Sequence, residues 1–149
     1  MADGILGQIV AAKKAELGQR FAGVSIDMLR ARARPTRLSL AAVIAKPGAR
    51  FILEIKKASP SEGVIRRGAD VAALARAYAP VADALSVLTD SAFFGGAIDD
   101  VRGARTAFAG PILAKDFFVD PRQVAEARLA GPTPSWSCFQ CWMTTRPER

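Results

Sequence analysis

Between residues 51 and 130 the chain alternates short apolar runs with helix-patterned segments, and this alternation narrows the possible folds more than any other feature. Phe51 to Ile55, Ala84 to Leu88 and Pro111 to Ala114 read as strands, each apolar and bounded by charge, Gly or Pro. Asp70 to Tyr78, Ile98 to Phe108 and Pro121 to Ala130 read as helices, the first capped by Asp70 and the last opening with proline. Strands that recur about every 30 residues with a helix between them imply a parallel sheet with right-handed crossovers. On pattern alone, a doubly wound sheet and the start of a (βα)8 barrel are both open.

The residues before position 51 follow a different pattern. Ile5, Leu6, Ile9, Val10 and Leu17 form an apolar stripe at helical spacing, which predicts a helix with Lys13, Lys14 and Glu16 toward solvent. Ser25 and Ser39 are placed to cap two further short helices, the second ending near Lys46-Pro47-Gly48.

Composition then limits the chemistry. The chain contains no His, which removes the usual general base and the commonest metal ligand, so any acid–base work falls to Lys, Glu, Asp or Tyr. The net charge of +7 favours anionic partners. The basic residues are scattered and not interleaved with aromatics, so a phosphorylated small molecule is expected rather than nucleic acid. No apolar run reaches the length of a membrane span, no signal-peptide layout opens the chain, and no Cys precedes position 138. A cytoplasmic protein without disulfides or membrane contact is expected. Cys138 and Cys141 have the spacing of half a zinc site, but no second pair and no His complete it, so no metal is expected.

In parallel α/β folds ligands sit at the C-terminal ends of strands. The first strand there ends in Glu54 and Lys56, which share a face, followed by the loop from Ser59 to Gly63. The second ends in Thr89 and Asp90, then Phe93-Phe94-Gly95-Gly96, and the third in Lys115, Asp116 and Phe117. Each group taken singly is ordinary strand-end polarity. Their placement at three successive strand ends describes a rim suited to an anionic, aromatic substrate.

These residues also resemble a known family. Phe51-Ile-Leu-Glu-Ile-Lys-Lys-Ala-Ser-Pro-Ser-Glu-Gly63, Leu85-Ser-Val-Leu-Thr-Asp90 with Phe93-Phe94-Gly-Gly, and Pro111-Ile-Leu-Ala-Lys-Asp-Phe117 closely resemble the first three strand motifs of indole-3-glycerol-phosphate synthase. That tryptophan-biosynthesis lyase is a (βα)8 TIM barrel. The resemblance implies decarboxylating ring closure of 1-(2-carboxyphenylamino)-1-deoxyribulose 5-phosphate, without cofactor or metal. It implies Lys115 as general acid, Lys56 as substrate-binding and proton-transferring lysine, and Glu54 as the carboxylate that orients them. It further implies that Ser59 contacts substrate and that Phe94 and Phe117 pack on its ring. A related phosphate-binding barrel such as phosphoribosylanthranilate isomerase fits the Glu-x-Lys and Lys-Asp-Phe motifs less well. A non-catalytic basic α/β module is the reading from another class.

The resemblance places 1–131 as the N-terminal portion of such a barrel, with residues to about 48 as its helical extension, and breaks off after Gly131. Pro132 to Arg149 contains no Ala, Val, Ile, Leu or Gly, types that fill more than half of 1–131. Uniform composition would give such a stretch with a chance on the order of one in a million. A set of codons for 132–145, with one G restored ahead of it, spells Ala-Asp-Ala-Ile-Leu-Val-Met-Leu-Ser-Val-Leu-Asp-Asp, which resembles the family's next strand. A frameshift, an aberrant disordered tail at 132–149, and a chain inactive by itself are therefore expected.

Overall fold

The computed structural model describes residues 4–34, 36–66, 68–131 and 136–137. The N-terminal segment forms three helices, α1 (Ile5–Arg20), α2 (Ile26–Arg32) and α3 (Leu40–Ile44). As expected from their position, the Ser25 and Ser39 hydroxyls accept the amides of Met28 at 3.2 Å and Ala42 at 3.1 Å. These caps satisfy backbone donors that a short helix leaves open.

The alternating part follows as β1 (Ile52–Ile55), β2 (Ala58–Ser59), β3 (Gly63–Val64), α4 (Val71–Tyr78), β4 (Ala84–Leu88), α5 (Ile98–Arg105), β5 (Ile112–Asp116), α6 (Pro121–Ala130) and β6 (Trp136–Ser137). Among the described residues the main sheet has the order β1-β4-β5-β6, with every pairing parallel. β6 is two residues long and pairs with Lys115 and Asp116. The remainder of 132–149, including Cys138 and Cys141, lies outside the described residues.

Register assigns the two faces. Ile55, Val87 and Ala114 lie in line across β1, β4 and β5. With Leu85 and Ile112 they pack beneath the helices against Val71, Ala75, Val101, Ala104, Phe108, Ala127 and Ala130. Each fully buried Val, Leu or Ile side chain here is worth about 1.5–3 kcal/mol relative to exposure. The opposite face aligns Glu54, Ser86 and Leu113, with Lys115 two residues on. Leu40 of α3 packs on Ala84 and Leu113 and covers the start of this face.

Three sequence expectations change. Lys13 does not face solvent: it lies on the same stripe of α1 as Ile9 and Leu17 and is 1% exposed. The helix expected to reach Phe108 stops at Arg105, whose guanidinium donates to the carbonyls of Phe108 at 2.9 Å and Gly110 at 2.8 Å, stabilising a turn instead. The loop after β1 contains the antiparallel pair β2–β3, which strands of two residues do not announce in a sequence.

Candidate active site

The C-terminal ends of β1, β4 and β5 bring most of the expected site residues together. Lys115 Nζ lies 2.6 Å from Glu54 Oε2, an ion pair that spans the sheet across the width of β4. Glu54 and Lys115 remain 35% and 48% exposed. The contact is a charge-assisted hydrogen bond in partly wet surroundings, so it orients the ammonium more than it stabilises the fold.

The aromatic pair converges as well. Phe94, in the loop after β4, and Phe117, just past β5, have ring centroids 6.1 Å apart at 38°. Phe94 is held by its backbone, since its carbonyl accepts the Ala58 amide at 3.1 Å. Gly96 closes that loop. A Cβ there would lie 2.2 Å from the Leu88 carbonyl oxygen, so only glycine permits the approach.

The loop after β1 places the other two candidates differently. Lys56 Nζ is 3.4 Å from Glu62 Oε2 and 30% exposed. Ser59 is buried; its hydroxyl donates to Glu62 Oε2 at 3.1 Å and accepts the Glu62 amide at 3.1 Å. Glu62 therefore gathers Lys56 and Ser59 into one local turn, and the Ser59 hydroxyl is engaged within the loop. Neighbouring Lys57 pairs with Asp100 at the start of α5 at 2.7 Å, which ties this loop to the second βα unit.

Behind the rim lies a buried charge cluster whose roles the sequence reading did not assign. Lys13 Nζ lies 3.0 Å from Asp90 Oδ2, 3.1 Å from Asp116 Oδ1 and 2.9 Å from Glu16 Oε2. The Thr89 hydroxyl donates to Asp116 Oδ2 at 2.9 Å. Burial is the largest influence on the Lys13 ammonium and pulls its pKa down, but the attraction of Asp116, Glu16 and Asp90 together outweighs it and leaves the pKa raised. Burial pushes the Asp116 carboxyl up, against the pull of Lys13 and Thr89. The spacing Ile9, Lys13, Leu17 is the signal that could have exposed this lysine, because the three share one helical stripe.

Gln123 completes the frame. Its amide oxygen accepts the amides of Val119 at 2.8 Å and Asp120 at 3.1 Å, while its nitrogen donates to the Phe117 carbonyl at 3.1 Å. The segment that follows Lys115 is thus fixed from both sides.

Comparison with known proteins agrees with the fold. The family model described as indole-3-glycerol phosphate synthase matches residues 6–134. The indole-3-glycerol phosphate synthase of Verminephrobacter eiseniae is 44% identical over 138 residues, covering 85% of this chain and 52% of that protein. Those of Mycolicibacterium smegmatis and Syntrophobacter fumaroxidans are 40% and 42% identical, covering 85% of this chain and 48% and 50% of theirs. The chain spans about half the length of the curated relatives it matches. With three helices leading into βα units of one parallel sheet, and a match across nearly all the described residues, the chain belongs to the indole-3-glycerol phosphate synthase family of TIM-barrel lyases.

Proposed function

We propose that this chain carries the first three strand ends of a site for decarboxylating ring closure of 1-(2-carboxyphenylamino)-1-deoxyribulose 5-phosphate to indole-3-glycerol phosphate, a cytoplasmic step that uses no cofactor. The observation that carries the proposal is the Glu54–Lys115 pair at 2.6 Å. Its ammonium is oriented to protonate a carbonyl oxygen as the new carbon–carbon bond forms and to hold the oxygen's developing charge. Carbon dioxide then leaves the ring carbon, the hydroxyl leaves as water with a proton supplied by Lys56, and the proton lost from the neighbouring carbon passes to Glu54. Phe94 and Phe117 form an aromatic wall for the anthranilate ring. Lys56 binds a substrate anion once it turns from Glu62, a partner held at only 3.4 Å.

The chain alone is expected not to turn over at the rate of a full-length relative. The exposure of Glu54 and Lys115 leaves water against the reacting groups, which screens the electrostatic stabilisation that ring closure needs. The substrate's anthranilate fluorescence provides the test. Titration with the purified chain should show binding that Lys115→Met weakens roughly tenfold, the loss of one charge-assisted contact. Absence of binding would sink the proposed site. Indole formation by the unaided chain at the rate of a full-length relative would sink the expectation of inactivity.

A further inference from the structure

We infer that Lys13, on the N-terminal helix, is a positioning residue that sets the Phe94–Phe117 wall by holding Asp90 and Asp116 at once. The inference rests on the proposed reading of those two rings as the wall for the substrate's aromatic group.

Each arm is a short series of contacts. On one side Lys13 Nζ meets Asp90 Oδ2 at 3.0 Å, and Asp90 Oδ1 accepts the Phe93 amide at 2.8 Å. The Asp90 carbonyl accepts the Gly96 amide at 2.8 Å, so one residue fixes both ends of the loop that presents Phe94. On the other side Lys13 Nζ meets Asp116 Oδ1 at 3.1 Å, and the same oxygen accepts the Phe117 amide at 2.7 Å. Asp116 is the last residue of β5, between Lys115 and Phe117 in sequence, so its orientation governs how the chain leaves the strand toward Phe117. A single ammonium thereby joins the backbones that carry the two rings.

The cluster suits this task better than that of a mere anchor. A buried ion pair contributes little net stability against an apolar replacement, so a role in setting geometry accounts better for a cluster of this kind. α1 already has apolar anchors in Ile9 and Leu17, and Arg20 pairs with Glu126 of α6 at 3.1 Å. Lys13 also excludes alternatives: with Asp90 and Asp116 both buried and both acidic, neither side chain can rotate away without leaving a charge unpaired.

The experiment uses the whole chain and needs no substrate, so its failure leaves the proposed reaction to be judged on its own titration. In chain labelled at phenylalanine, nuclear Overhauser contacts between the Phe94 and Phe117 rings and amide exchange are recorded for wild type, Lys13→Met and Lys13→Arg. The expected result for Lys13→Met is loss of the ring contact and at least tenfold faster exchange at Phe93, Gly96 and Phe117. Cross-strand nuclear Overhauser contacts between β4 and β5 should persist, and Lys13→Arg should retain the ring contact. Unchanged exchange at the three amides, or loss of the β4–β5 contacts together with the ring contact, would overturn the inference. If Lys13→Met does not fold, Asp90→Asn separates the arms: Phe93 and Gly96 should exchange faster while Phe117 does not. Equal loosening of both arms by Asp90→Asn would overturn it too.

Discussion

Replacing Lys13 by Met removes one charge and strands two others. Asp90 and Asp116 are 1% and 8% exposed, and water cannot take over the role of the ammonium without opening the structure. Removing one partner of such a cluster costs about 3–5 kcal/mol, and a urea titration of Lys13→Met against wild type should show a loss of that size. The pH dependence has a definite sign. Because the folded ammonium pKa is raised, its stabilisation is fully present below the ordinary lysine value of about 10.4 and is lost as pH rises through the folded value. The wild-type chain should therefore lose stability on an alkaline limb that Lys13→Met lacks. At this scale the sequence was only partly legible. Glu54 and Lys115 could be named because strand alternation and a strand end place them. Lys13 could not be given its role, since a lysine beside Lys14 looks like a solvated face until the sheet ends it meets are known.

At the scale of elements, the loop after β4 is the most sharply specified segment. Gly95 has φ +63 and Gly96 has its open side filled by the Leu88 carbonyl. Gly96→Ala should cost more than about 2 kcal/mol, since the clash is with backbone that a strand holds in place. Gly95→Ala should cost about 1–2 kcal/mol, the usual penalty for a Cβ in the left-handed region. Thermal denaturation of the two variants checks the order. Helix positions were readable because burial imposes a period of three to four residues, and strand positions because β4 and most of β5 are buried on both faces and stand out as short apolar runs. Ends were less so: α5 stops early because Arg105 finds two carbonyls beyond it, a contact made by the tertiary path of the chain. The hairpin β2–β3 was illegible for a related reason, as it closes through the Ser59–Glu62 turn rather than through a hydrophobic pattern.

For the whole molecule, the edge of the sheet at β1 governs behaviour in solution. Its beginning is pinned: Asp83 accepts the Phe51 amide at 2.8 Å and pairs with Arg50 at 3.1 Å, while the Asp83 amide donates to the Phe51 carbonyl at 2.9 Å. Yet Phe51, just ahead of β1, and Ile52, its first residue, stand 57% and 42% exposed, and the other side of that strand pairs with no further strand among the described residues. An apolar open edge is a template for association. Ile52→Lys should lower light scattering at raised concentration while leaving the far-ultraviolet circular dichroism unchanged; equal scattering by both chains would show that association starts elsewhere.

The Arg122 guanidinium has a consequence for the order in which the parts can form. From the start of α6 it donates to the carbonyls of Phe21 and Val24 at 3.1 Å each and lies 4.9 Å over the Phe21 ring. These contacts close loops of about 100 residues. During synthesis the N-terminal helices are made first, yet their docking partner is made among the last of the described segments. At about 5–20 residues per second, the first helices wait some seconds beside the ribosome with Leu17 and Phe21 uncovered. These helices are thus secured only after the strands that follow them have been made, which gives a chaperone a long opportunity to hold them.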